Sequence, residues 1–224
     1  GLGEILCNPQ IWTVGCISAI LYLPLSVIAA LWGTTYLEKT MSISTEKASL
    51  CISMLAVGWL IGCPLFGKLS DQFRNRRSFL LLGAAGGFVT MGLFLLAEDM
   101  GFQTMLVLMF VMGFITSTQS LAFAMAIELS PRHLAATAVS SCNFLTMIVA
   151  AVLQIAVGSI LTMIISDSTP ATDAARHTKD AYAAVTPEDF MWAIAVMPAL
   201  FLVAIGLCFL LRETHAGRIE APRD

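Results

Sequence analysis

Six stretches of this chain contain no Asp, Glu, Lys, Arg or His: residues 11–36, 48–66, 79–97, 102–127, 134–165 and 190–211. An α-helix rising about 1.5 Å per residue needs about 20 apolar residues to cross a hydrocarbon core about 30 Å thick, so every stretch is long enough to span a bilayer. Spanning β-strands would alternate apolar and polar positions, and no such alternation is present. Helices, which satisfy their own backbone hydrogen bonds, are the solution left in lipid. Composition agrees, with 58% hydrophobic and 12% charged residues, against about 45–50% and 25% in soluble domains. The predicted fold is an all-α membrane protein, a single domain of six transmembrane helices.

Several helix starts are marked in the sequence. Asn8-Pro9, Ser130-Pro131 and Thr186-Pro187 each put a capping oxygen before a proline, which suits a first helical turn. Asp189, three residues after Thr186, completes a capping box. The fifth stretch is long for one crossing and predicts a tilted helix or a projecting cytoplasmic end.

Counting basic residues on alternate sides gives the orientation. Lys68, Arg74, Arg76, Arg77, Arg132, Arg212, Arg218 and Arg223 fall on the side of both termini, and only Lys39, Lys47, Arg176 and Lys179 on the other. The positive-inside rule then places both ends in the cytoplasm, as in a multi-pass protein of a bacterial inner membrane. A net charge of −3 with no basic face argues against nucleic acid. The six cysteines stand singly and the three histidines lie outside the apolar stretches, so neither a disulfide framework nor a metal site is expected, and no cofactor is implied. With no initial Met and no charged leader, the chain reads as a segment of a longer one.

The charges concentrate in one short loop, Gly67-Lys-Leu-Ser-Asp-Gln-Phe-Arg-Asn-Arg-Arg77. Asp71 is expected at the membrane face, where a carboxylate accepts from the free N–H groups of a neighbouring helix N-terminus. Arg76 and Arg77 are placed to pair with an acid closing another helix, Glu128 being the nearest candidate, or with lipid phosphate.

Gly67-x-Leu-Ser-Asp71 followed by Arg76-Arg77 resembles the signature loop of the major facilitator superfamily, found between the second and third helices of each six-helix half. Glu128-Leu-Ser-Pro131 with Ala136-Thr-Ala138 and Asn143 is similar to the series joining that family's tenth and eleventh helices, and Arg212-Glu-Thr214 to the step after its twelfth. The resemblance implies helices seven to twelve, one half of a major-facilitator-type bundle whose partner is an N-terminal six-helix half. It implies secondary active transport of a small organic solute by alternating access, with Gly67, Asp71, Arg76, Arg77 and Glu128 as a cytoplasmic latch. Asp71 would meet a helix N-terminus of the other half, and Arg76 or Arg77 would pair with Glu128 within this one. The family carries a basic residue after the loop acid and a glycine two positions later, where this chain has Gln72 and Arg74.

The membrane interior is sparing with polar groups. With no acid, base or histidine in any apolar stretch, coupling to a co-transported proton falls to the other half, or transport is uncoupled. Tyr22, Ser26 and Trp32 recur on one face of the first stretch, with Pro24 allowing a kink. Gln119 and Ser120 cluster with Thr116 and Phe123 on the fourth. Asn143 and Gln154, about three turns apart, share a face of the fifth and should look inward or at another helix. As a set these side chains predict half of a solute site; singly, each also suits interhelical hydrogen bonding. Tyr36, Trp32 and Trp192 are candidates for the interfacial aromatic belt. Gly58, Gly62, Pro64 and Gly67 predict a close-approach face on the second helix, and Gly83, Gly86 and Gly87 another on the third. Residues 173–185 are candidates for a short surface helix.

Metalloprotease and nucleophile-elbow motifs are absent, so an intramembrane enzyme is a poor reading. A six-span scaffold that binds a partner without moving solute remains the alternative, separated from a carrier by flux measurements in liposomes.

Overall fold

A computed structural model of the chain describes residues 2–168 and 186–214. The loop containing residues 173–185 lies outside the described residues. Six helices have the length and apolar character to cross a membrane: α1 (Pro9–Met41), α2 (Thr45–Phe73), α3 (Arg77–Phe94), α4 (Phe102–Glu128), α5 (Arg132–Met163) and α6 (Pro187–Leu210). They pack as an all-helical bundle with no strand among the described residues. The chain is an integral multi-pass membrane protein. α1 is the most buried of the six; it packs chiefly on α5, while α2 packs on α4 and α3 on α6.

Two of the three predicted caps form. Asn8 Oδ1 accepts from the Gln10 backbone N–H at 3.0 Å, and Thr186 and Asp189 make a reciprocal capping box. The third does not: Ser130 Oγ donates back to the Ile127 carbonyl at 3.0 Å, and Pro131 leads into a 3₁₀ turn over Arg132–Leu134. The Ser130 side chain thus turns back onto the end of α4 rather than forward onto the first turn of α5. The α5 helix then runs on through Ser168, longer than one crossing requires.

Glycine sets the α2–α4 crossing. A Cβ on Gly58 would collide with the Phe110 carbonyl, one on Gly113 with the Leu55 carbonyl, and one on Gly62 with Ser117 Oγ. Lipid gives apolar helices little hydrophobic reason to associate, so this contact depends on backbones approaching closely. Gly67 does not share that face, since nothing lies within 4 Å of its would-be Cβ. Gly83, Gly86 and Gly87 do make close contacts, with Thr118, Ile115 and Phe201.

Two local departures from α geometry sit mid-membrane. Residues Pro24–Trp32 wind as a π-helix, with the Gly33 N–H reaching the Ile28 carbonyl; Pro24, lacking an N–H, opens this wide-turn stretch instead of a sharp kink. In α4, Ser117–Gln119 tighten into a 3₁₀ turn. The hydroxyls of Thr116, Ser117, Thr118 and Ser120 all bond carbonyls three or four residues back, drawing acceptors away from the regular ladder.

Tyr36 is core rather than belt. It is 1% exposed, its ring packs on Phe94 at 4.9 Å, and its hydroxyl donates to the Leu95 carbonyl at 3.3 Å. A phenol at a helix end suits either place, and here the end of α3 offers an acceptor within reach. Trp192, by contrast, is 71% exposed on the outer surface.

Candidate functional site

Five helix ends meet on the face that carries the charged loop. Asn8 Nδ2 at the start of α1 donates to the Leu129 carbonyl closing α4, at 3.4 Å. The Gln10 side chain clasps the end of α6, donating from Nε2 to the Leu210 carbonyl at 3.2 Å and accepting at Oε1 from the Arg212 N–H at 2.8 Å. These amides satisfy carbonyls and an N–H that helix termini leave unpaired.

The α2–α3 turn is a Schellman motif. Asn75 N–H donates to the Ser70 carbonyl and Arg74 N–H to the Asp71 carbonyl, with Arg74 left-handed at φ 50° and ψ 40°. This position requires positive φ, and the chain meets the requirement with arginine instead of glycine.

The turn delivers Arg76 into the bundle, where the residue is 7% exposed. Its guanidinium donates from Nε and Nη2 to Glu128 Oε1, at 3.3 and 3.0 Å, and from Nη1 to Ser70 Oγ, and it pairs with Asp71 Oδ1 at 2.6 Å. One planar fork thus ties the end of α2 to the end of α4, a task suited to guanidinium geometry. Arg77 turns outward, donating to the Phe209 carbonyl at 3.2 Å with its charge over the Phe209 ring. Of the two arginines, Arg76 is the one that meets Glu128.

Glu213, just past α6, completes the cluster. Its two oxygens accept from the backbone N–H groups of Arg76 at 2.8 Å and Arg77 at 2.9 Å, so a carboxylate sits on the positive end of α3. Thr214 Oγ1 donates to Glu128 Oε2. Glu213 was legible only as part of the Arg212-Glu-Thr resemblance; its capping role depends on a contact more than 130 residues distant along the chain. Gly67 contributes its carbonyl, which accepts from Ser70 Oγ at 3.1 Å. Asp71 keeps a side chain 63% exposed, which leaves it open to a further partner.

The Major Facilitator Superfamily model matches residues 1–154. The chain belongs to the Major Facilitator Superfamily. This family and fold are those of transporters, not enzymes. The structure resembles that of the xylose transporter XylE from E. coli in an inward open conformation, with a TM-score of 0.62 at 18% identity, covering 91% of this chain and 48% of that one. Probable hexose phosphate transport proteins of Chlamydia muridarum and Chlamydia trachomatis are each 36% identical over 67 residues, which is 30% of this chain and 14% of theirs. The chain therefore spans about half the length of that transporter structure.

In the membrane interior the predicted polar side chains fall into three places. Gln119, 2% exposed, donates from Nε2 to Ser18 Oγ at 2.8 Å, and Ser18 shares a hydrogen bond with Thr146 Oγ1 at 2.9 Å, linking α4, α1 and α5. Tyr22 lies one turn further along α1 and meets the Trp59 ring edge-on at 6.4 Å. Ser120 bonds its own helix at the Ser117 carbonyl. Second, Gln154 Nε2 donates to the Ser26 carbonyl at 2.7 Å, inside the π-helical stretch, while Trp32 packs on Phe190 and borders Gly158. Third, Asn143 is exposed on the bundle surface and makes no hydrogen bond among the described residues. Within this chain α5 turns Ala138, Cys142 and Thr146 to its neighbours and Asn143 away from them. Sequence reasoning missed Ser18, Trp59 and Thr146, which stand among apolar neighbours with no motif around them.

Proposed function

We propose that this chain is the C-terminal six-helix half of a secondary transporter that carries a small organic solute by alternating access. The observation that carries this reading is the Arg76 cluster. Three carboxylates, one buried guanidinium and one helix N-terminus join the ends of α2, α3, α4 and α6 through contacts that are strong but few. Such a joint holds one arrangement firmly and opens as a unit, because charge-assisted bonds weaken steeply once separated and wetted. In this reading Asp71 also engages a helix terminus of the N-terminal half and holds the cytoplasmic side shut in the outward-facing state.

The solute is expected between the two halves near the membrane midplane, with Tyr22, Ser26, Trp32, Gln119, Ser120, Asn143 and Gln154 as this half's contribution. An exposed asparagine on α5 fits a surface that the other half covers, since an amide facing lipid is costly. Sugars and their esters are our first candidates for the solute, since the similar proteins are named a xylose transporter and probable hexose phosphate transport proteins. The six apolar stretches hold no ionisable acid or base, so symport with a proton rests on the other half. In this reading the membrane is an inner membrane, and the basic residues on the clustered face favour a cytoplasmic position for both ends of this segment.

Reconstitution tests the reading. Liposomes holding this chain alone should move no solute, and liposomes holding it with its N-terminal half should. Flux that stays absent with both halves present, in a screen covering sugars, amino acids and organic acids, would favour a non-transporting scaffold.

A further inference from the structure

Arg77 leaves the Arg76 cluster for the outer surface of the bundle, where Nη2 donates to the Phe209 carbonyl at 3.2 Å and the guanidinium lies 5.8 Å from the centre of the Phe209 ring. Phe209 is 62% exposed and Leu210 beside it 68%. Arg212 follows directly after α6; it is exposed, and the bond from its N–H to Gln10 Oε1 at 2.8 Å holds its backbone in place. Among the described residues neither guanidinium is ion-paired with a carboxylate. Glu213, next to Arg212, turns its two oxygens to the N–H groups that open α3. From Phe79 to Phe94 in α3 and from Val196 to Leu210 in α6 no exposed side chain is polar, whereas α5 exposes Ser140 and Asn143. Gly206, one turn before Leu210, has open space around it.

We propose that Arg77 and Arg212 hold the phosphate of an anionic phospholipid at the α3–α6 corner, in the leaflet on the side of the charged loop, with its acyl chains along the apolar face of those two helices. The site is separate from the Arg76 cluster and does not depend on the transport reading. Guanidinium groups match a phosphodiester in geometry as well as charge, and Arg77 keeps Nε and Nη1 as donors beyond the one given to Phe209. A cationic side chain whose stem lies on apolar surface and whose head reaches the membrane boundary is well placed for a headgroup layer. Acyl chains suit a face without polar side chains, and the open space at Gly206 gives one of them room to lie close to α6. Two neighbouring cations favour a lipid of net negative charge over a zwitterionic one, which brings its own ammonium group. The bound lipid ties the end of α6 to the start of α3 from outside, across the boundary that Glu213 spans from within.

Native mass spectrometry of the complete transporter, released from nanodiscs of phosphatidylglycerol and phosphatidylcholine with the same acyl chains in equal amounts, tests this. Retained phosphatidylglycerol should exceed phosphatidylcholine about tenfold or more, and Arg77→Gln and Arg212→Gln should each lower that preference about fivefold, the weight of one basic residue near an anionic surface. Arg212 is exposed and its backbone contact to Gln10 survives the change, so its variant reads binding apart from folding. Lys68→Gln, which removes an exposed cation from α2, should leave the preference unchanged. Equal retention of the two lipids would overturn the inference, as would a preference that either arginine variant leaves intact or that Lys68→Gln lowers as much. Added sn-glycerol 3-phosphate should not displace the lipid; displacement at equal concentration would assign the two arginines to a soluble phosphate and overturn the lipid site.

Discussion

Arg76 and Glu128 stand 52 residues apart in sequence and meet at 3.0 Å on the face where five helix ends converge. Their side chains are 8% and 23% exposed, so the pair is shielded enough to matter and close enough to water to be breakable. Removing one partner of a shielded pair costs more than the pair contributes, because the remaining charge is left uncompensated.

Arg76→Ala is expected to destabilise the bundle by about 2–3 kcal/mol, at or below the lower end for a fully buried pair, because Asp71 is largely solvated. Arg76→Lys should recover less than half of the loss, since one ammonium group cannot serve Ser70, Asp71 and Glu128 in a single plane. Thermal unfolding of the complete transporter in detergent measures both. A lysine variant as stable as the parent would show that the fork geometry is unnecessary.

Arg74 is left-handed at φ 50° in a turn that glycine fills without strain. Arg74→Gly is expected to stabilise the protein by about 1 kcal/mol. A fall in melting temperature would mean that the Arg74 side chain makes a contribution larger than its backbone strain.

Gly113→Ala should separate α2 from α4, because the new methyl meets the Leu55 carbonyl and that backbone cannot step aside. Loss of folded monomer in size-exclusion chromatography is the expected result. Gly92→Ala and Gly206→Ala, where nothing lies within 4 Å, should leave the yield unchanged.

Gln154→Leu strips the Ser26 carbonyl of its 2.7 Å donor. Losing this additional hydrogen bond costs about 0.5–1.5 kcal/mol, and the stretch Pro24–Trp32 should exchange its amide hydrogens faster while the rest of α1 does not. Hydrogen exchange by mass spectrometry reads the difference, and protection unchanged across that stretch would show that Gln154 does not hold it.

The six crossings were legible because an uncharged run as long as a bilayer is thick has few alternatives. Their ends were less so: α2 begins at Thr45 and closes at Phe73, beyond the apolar run at both sides, since backbone hydrogen bonding continues after hydropathy stops. Gly58 and Gly62 were readable as a contact face, but their partner Gly113 was not, because its spacing matches nothing on its own helix. The loop charges predicted a cluster, yet only packing decided that Arg76 enters it and Arg77 does not. Ser18 and Trp59 could not be singled out from sequence. A lone hydroxyl or indole in an apolar helix gains meaning only from the neighbour that tertiary structure brings to it.

The central claim is that the Asp71–Arg76–Glu128 cluster is a joint that opens during transport. Spin labels on the cytoplasmic ends of the two halves of the complete transporter, in lipid, read as a distance distribution whether the contact of Asp71 with the other half is closed or open. Replacing Asp71 with asparagine should shift that distribution towards the longer, cytoplasm-open separation and change the solute flux. Distributions and flux identical to those of the parent protein would contradict the account.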